Sequence, residues 1–362
     1  MHSFQTKRAR TALFVLSLLA SLFVSQALAM QGEQRSSERS RSAQRQPQPT
    51  NKFGLAQAPK RTPGAIRIAT YNVLNLFDHI DDPALTGAHD DMLLAATDER
   101  CRALADAIRN VDADIVGLEE VESLECVKWF RDNYLKDLGY KYICSHDVGY
   151  YRGVEQAVLS RIEITGSHVW PNAPLQSVKR VGQGFTPVPR SNEPLTFQRS
   201  PLLVEFRTEA GYELSALVVH HKAGGDFDYH REAEALRIVE ILQELTKANP
   251  SRNIIVMGDF NAAPWDKSFR VYLEAGMIDT LSHRTTQGDG EALLYKTHES
   301  NRVLDYILLN SAAHRELVIG SSFVLGTLFP PPSYDWRTDP HPPGYASDHY
   351  PVAIELMPED KL

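Results

Sequence analysis

Five strand ends in this chain carry a polar residue where an ordinary hydrophobic strand would simply stop. Asn72 follows the run 66–71, Glu120 follows 114–119 and His220 follows 217–219, while Gly258-Asp259-Phe260-Asn261 and Ser347-Asp348-His349 flank two more. Each piece alone is a common short string; their order along the chain is what constrains the fold. Strand candidates lie at 66–71, 113–118, 154–159, 201–206, 213–219, 253–257, 304–309 and 350–356, each short, rich in β-branched residues and bounded by turn residues. Between them Cys101, Leu104, Ala105, Ile108 and Val111 repeat with a helical period, as do Leu236, Val239, Leu242 and Leu245. Strands and helices mix without strict βαβ alternation, which predicts two packed sheets flanked by helices rather than one parallel sheet.

The N-terminal region has a different character. Lys7, Arg8 and Arg10, an apolar run over 11–24 and Ala27-Leu28-Ala29 form the charged, apolar, small-x-small layout of a secretory signal. That predicts a signal peptide over 1–29, cleavage after Ala29 and a secreted or periplasmic protein. The apolar run falls short of the ~20 residues of a spanning helix, so no stable membrane insertion is expected once the signal is gone. Residues 30–64 are Gln, Ser, Arg and Pro with almost no large apolar side chains, and read as a disordered linker. The folded domain is then 65–362.

The chain carries a formal charge of −8; setting aside the three leader cations and the linker's surplus of five leaves a domain at −16. Such a body repels polyanions at long range, so a phosphodiester substrate would depend on divalent cations and local Arg or Lys contacts. Cys101, Cys126 and Cys144 lack the short spacing of a zinc site; one disulfide with a leftover thiol and buried free thiols both fit. Two irregular stretches stand out as long loops: 78–95, with Asp78, Asp81, Asp82, Asp90 and Asp91, and the Pro-rich 329–344. The acids of the first are read as solvated surface, because their spacing lacks the regularity of an EF-hand. No internal repeat is present.

Hard oxygen ligands, an ionised acceptor and an imidazole are what metal-assisted phosphoester hydrolysis needs. The set Thr70-Tyr71-Asn72, Leu118-Glu119-Glu120-Val121, Gly258-Asp259-Phe260-Asn261, Leu304-Asp305-Tyr306 and Ser347-Asp348-His349, in this order, resembles the endonuclease/exonuclease/phosphatase superfamily over roughly 65–357. The resemblance implies an α/β fold, a four-layered α/β/β/α sandwich of two packed mixed β-sheets flanked by helices, with the site at one edge of both sheets.

It also implies roles. Glu120 would be the metal carboxylate, with Asn72 and Asp348 completing the shell and Glu119 facing the other way along the strand. Mg²⁺ is the expected ion, with Mn²⁺ or Ca²⁺ as alternatives. Asp305 would fix the tautomer of His349, and His349 and Asp259 are rival bases. Asn261 would steady phosphoryl oxygens or the water. Of His220 and His221, the motif picks His220, with Glu155 as its carboxylate partner in protonating the leaving oxygen. Apart from the resemblance, Arg199 is read either as forking onto a nonbridging oxygen or as a surface Arg at a strand start, and Tyr150, Tyr151 and Arg152 either as stacking on a base or sugar or as packing beside a strand.

The expectation is a metal-dependent phosphodiesterase working by in-line attack of water, of nuclease type, on extracellular nucleic acid. The alternatives are a phosphomonoesterase or sphingomyelinase-type phospholipase C on the same fold, and a catalytically silent binding module. No obligate protein partner is expected.

Overall fold

The computed structural model describes residues 52–176, 195–281, 292–335 and 337–359. Strand β1 (Ile66–Leu76) is buried along most of its length, as a strand with cores on both faces must be. There follow α1 (Asp98–Val111), β2 (Ile115–Val121), α2 (Leu124–Tyr134), β3 (Tyr142–Ser145), β4 (Glu155–Ser160), β5 (Glu163–Val169), β6 (Leu202–Arg207), β7 (Glu213–His220) and α3 (Asp228–Ala248). The chain continues through β8 (Ile254–Asp259), α4 (Lys267–Glu274), β9 (Ile278–Asp279), β10 (Asp305–Leu309), α5 (Ser311–Arg315), β11 (Phe323–Val324) and β12 (Val352–Leu356).

The strands form two six-stranded sheets, ordered β11-β12-β1-β2-β4-β3 and β5-β6-β7-β8-β10-β9. Each is mixed: β1–β2 and β7–β8 are parallel pairs among antiparallel neighbours. Three apolar clusters separate four layers. In one, Cys101, Leu104, Ile108 and Val111 of α1 pack with Val116, Leu118 and Leu159 of the first sheet. Another fills the space between the sheets, with Ile68, Val158, Val218, Met257 and Ile354. The third seats Ile238, Ile241 and Leu242 of α3 on the second sheet. The expected α/β/β/α sandwich is what forms. The sheets approach closely at Gly117, where a Cβ would stand 2.8 Å from the Met257 methyl.

The helices start where capping residues permit. Thr97 accepts a hydrogen bond from the Arg100 amide and Ser123 from that of Cys126, satisfying amides that have no partner within the helix.

The linker boundary at 64 needs correction. Phe53 is buried, its ring edge-on to Phe329 and Tyr350, and Leu55 bridges to Leu325. Residues 52–64 thus belong to the domain; one aromatic and one Leu in a polar stretch suffice to dock it, which an average over composition hides. The expected signal and the linker up to residue 51 lie outside the described residues. All three cysteines are free and buried. No helix among the described residues is long and apolar enough to cross a membrane.

Candidate active site

Strand register assembles half of the site. His220 is the parallel partner of Asp259 across β7–β8, and Asp305 is its antiparallel partner across β8–β10. Three strand ends therefore set an imidazole and two carboxylates side by side. Gly258 makes this possible: its φ is +137°, and a Cβ there would stand 2.0 Å from the Val219 carbonyl oxygen.

The first sheet supplies the other half. β2 shifts register between Glu119 and Val121, and Glu120 takes a left-handed φ of +65°. The two glutamates diverge there. Glu119 is fully buried and accepts a hydrogen bond from Thr70 Oγ1 at 2.7 Å, while Glu120 is partly open to solvent. Across β1, Ser347 Oγ donates to the Asn72 carbonyl at 2.8 Å, tying the segment before His349 to the strand end.

Asp259 is the meeting point. Its Oδ2 accepts from Asn72 Nδ2 at 3.2 Å and Asn261 Nδ2 at 3.0 Å, and its Oδ1 from the Asn261 amide at 2.7 Å. Nε2 of His220 lies 3.5 Å and Nε2 of His349 3.8 Å from that same Oδ2. Glu120 Oε1 stands 3.6 Å from His220 Nε2, while its Oε2 accepts from the Asn75 amide at 3.1 Å. His349 Nδ1 faces Asp305 at 2.9 Å. Asp348 Oδ2 faces His298 Nε2 at 3.3 Å.

The two imidazoles differ electrostatically. Burial, with the positive Arg199 nearby, drives the pKa of His220 well below the usual histidine range. Burial opposes charge on His349 as well, but Asp305, Asp259 and Asp348 outweigh it and raise its pKa well above that range. Burial raises the Asp259 carboxyl, opposed by the His349 charge. For Asp348, burial works against ionisation, yet His349 and His298 bring it down to about 2. Burial pushes the Glu119 carboxyl well above the usual range, against the opposing hydrogen bond from Thr70.

Most of the residues singled out by sequence converge here: Asn72, Glu120, His220, Asp259, Asn261, Asp305, Asp348 and His349. His221 is the structural member of its pair, bonded to Glu234 at 3.1 Å and Tyr272 at 2.8 Å. Three expectations change.

Glu155 does not pair with His220. No ion pair joins them, and Glu155 Oε2 and His220 Nδ1 are both buried without a partner, while Glu155 Oε1 accepts from the Val148 amide at 3.2 Å. Arg199 is buried with its fork turned inward, donating to the carbonyls of His220 at 3.1 Å and His221 at 2.5 Å. It braces the end of β7, with a further donor on the Tyr150 hydroxyl at 3.5 Å. Asn261 donates its amide hydrogens to Asp259 and to the His221 carbonyl at 3.1 Å, so it orients Asp259 and has no donor to spare. Tyr151 is 62% exposed at the rim, edge-on to His89, and Arg152 donates to Asn75 Oδ1 at 2.8 Å.

Sequence reasoning missed residues that act by holding others. Arg100 is buried and donates to the carbonyls of Val73, Leu74, Asn75 and Ala346, fastening the C-terminal end of β1 to the segment bearing Asp348 and His349. Thr297 Oγ1 accepts from the Asp305 amide at 3.0 Å. His298 accepts from the Ser300 amide at Nδ1, which leaves Nε2 to donate to Asp348. An Arg among the apolar positions of α1 was the one available signal.

The donors suit a hard divalent cation. Glu120 Oε1 accepts no hydrogen bond among the described residues, Asp348 is ionised, and acids outnumber bases in the buried cluster.

The sequence from 69 to 349 matches the model of the endonuclease/exonuclease/phosphatase family. The chain belongs to that family, whose members are phosphoester hydrolases with a typical dependence on divalent metal. Its fold resembles the human Nocturnin catalytic domain with bound sulfate anion (19% identity, 81% of this chain and 94% of that one, TM-score 0.51). It also resembles an endonuclease/exonuclease/phosphatase family protein from Bacteroides thetaiotaomicron (18%, 82% and 98%, TM-score 0.51). A Bacteroides thetaiotaomicron mannosyl-6-phosphatase is similar at 18% identity over 80% and 99%, with TM-score 0.49. No curated protein sequence matches the chain.

Proposed function

We propose that this protein is an exported, Mg²⁺-dependent phosphodiesterase of nuclease type. The observation that carries the reading is the pair of imidazoles facing one carboxylate oxygen, His220 at 3.5 Å and His349 at 3.8 Å from Asp259 Oδ2. Hydrolysis of a diester needs one group to take the proton of water and another to attend the leaving oxygen. Asp259, aligned by Asn72 and Asn261, takes the proton. His349, kept cationic by Asp305, gives its proton to the leaving oxygen as the bond to phosphorus breaks. Neutral His220 sits beside the reacting group and holds Asp259 in place. Glu120, Asp348 and Asn72 would hold the ion, which when bound would neutralise charge on the phosphoryl oxygens. Tyr151 and Arg152 on the rim offer a ring and a guanidinium to a flanking nucleotide. The leader-like residues 1–29 support export.

The domain stays strongly acidic once residues 52–64 with Lys52, Lys60 and Arg61 are counted in it, at −13, and this favours a second reading, a phosphomonoesterase or lipid phosphodiesterase with a compact substrate. The test uses protein lacking residues 1–29, with Mg²⁺ or EDTA, beside His349→Ala. Substrates are plasmid DNA, RNA, bis-p-nitrophenyl phosphate, p-nitrophenyl phosphate and sphingomyelin. Nicking of DNA that needs Mg²⁺ and is lost in the variant supports the nuclease; turnover of the monoester or the lipid alone selects the second reading. Silence on all five returns the binding module.

A further inference from the structure

The acids of the loop 78–95 are drawn together. Asp81, Asp90 and Asp91 each bring a carboxylate oxygen within 4.8 Å of the others. Behind them Asp78 and Glu122 form a second close group, with the Asp78 amide donating to Glu122 Oε2 at 3.0 Å. Burial raises the Glu122 carboxyl to about 7, the negative charges of Asp78 and Asp91 add to this, and Asp91 is near enough to share the Glu122 proton. None of these five acids has a Lys, Arg or His ion pair among the described residues.

Acids on a surface loop are ordinarily solvated, and then need nothing. Asp91 is different: it is 1% exposed, and its Oδ1 is buried without a hydrogen-bond partner, while its Oδ2 accepts from the Asp82 amide at 2.7 Å. A buried carboxylate oxygen with no donor, packed among other acids, carries a large desolvation cost unless a cation or a proton joins it. Exposed Asp81 and half-buried Asp90 leave the group open to solvent on one side, which gives an ion a way in.

We propose that Asp81, Asp90 and Asp91 form a second, structural cation site for Ca²⁺, separate from the Glu120–Asp348 region. Ca²⁺ suits it because it accepts an irregular set of carboxylate and carbonyl oxygens, whereas Mg²⁺ demands near-octahedral geometry. The site braces the substrate rim. Leu85, from the same loop, is buried with Phe77, Tyr150 and Val154, and His89 meets the Tyr151 ring at 5.2 Å between centroids. Fixing this loop therefore fixes the segment that carries Tyr151 and Arg152.

The rival account is a proton shared between Asp91 and Glu122, which would need no ion. Ca²⁺ binding and thermal unfolding of the Glu120→Gln protein separate the two, because that variant weakens the other cation region and neither readout requires activity. The expected result is one Ca²⁺ per chain with a Kd of about 1 mM or tighter, and a melting temperature raised by several degrees over EDTA. Adding Asp81→Asn, at an exposed position that cannot compromise folding, weakens binding at least ~10-fold and removes the shift; Asp91→Asn does the same. Glu120→Gln protein that shows no saturable Ca²⁺ binding and no shift, or binding indifferent to Asp81→Asn, overturns the site. Because no substrate is involved, either result leaves the proposed phosphodiesterase activity standing.

Discussion

His349 Nδ1 stands between the two carboxylate oxygens of Asp305, 3.0 Å from one and 2.9 Å from the other. The contact fixes which ring nitrogen turns toward Asp259, and it stabilises the cationic ring.

Asp305→Asn removes that stabilisation while keeping the shape. Activity that needs the imidazolium declines as pH rises through the His349 pKa. Since the carboxylate raises that pKa, its loss moves the alkaline limb of the kcat profile to lower pH. We expect a drop in kcat at neutral pH of about 10²-fold or more with little change in melting temperature. An unshifted alkaline limb would remove His349 from the proton inventory.

Glu155 gives a second pH test, on stability. Burial raises its carboxyl to about 8. Below about pH 4.5 both folded and unfolded chains hold the proton; between there and pH 8 the unfolded chain releases it first, so stability falls as pH rises. Glu155→Gln abolishes this slope, and its stability advantage over wild type grows across that window by a few kcal/mol at most. Because no bond joins Glu155 to His220, kcat should stay within about threefold of wild type. Denaturant melts at pH 5 and 8 and one activity assay decide both points.

Arg199 and Arg152 should separate cleanly. Arg199→Ala leaves the carbonyls of His220 and His221 without their donor and costs about 2–4 kcal/mol of stability. Arg152→Ala, at the rim, should raise KM with the melting temperature nearly unchanged. Equal melting temperatures for the two variants would contradict the bracing role.

Gly258→Ala is predicted to fold poorly or not at all. Its Cβ would collide with the Val219 carbonyl across β7–β8, and separating those strands would undo the His220–Asp259 alignment; loss of more than about 3 kcal/mol is expected. Soluble, active Gly258→Ala protein would show the strand pair to be far more compliant than its geometry indicates.

All eight strand expectations fall on observed strands because those runs are apolar and β-branched. β5, with the sequence Glu-Ile-Thr-Gly-Ser-His-Val, was not legible. It is an edge strand with one side exposed, so no strong apolar stripe marks it. At the site, residues that end strands could be found, since a polar side chain there breaks a local pattern. The partners of a side chain could not: Arg199 donates to the carbonyls of His220 and His221, and Glu155 accepts from the Val148 amide. Arg100 was hidden for another reason, because its partner at Ala346 lies 246 residues away and no local signal reports that distance.

The first and last long strands of the domain, β1 and β12, lie side by side in one sheet, with His349 just ahead of the latter. A ribosome must therefore pass Leu356 before the sheet can close around β1. A chain that stops short of residue 349 lacks both the closing strand and the imidazole that precedes it, so the first sheet and the cluster around Asp259 are completed together.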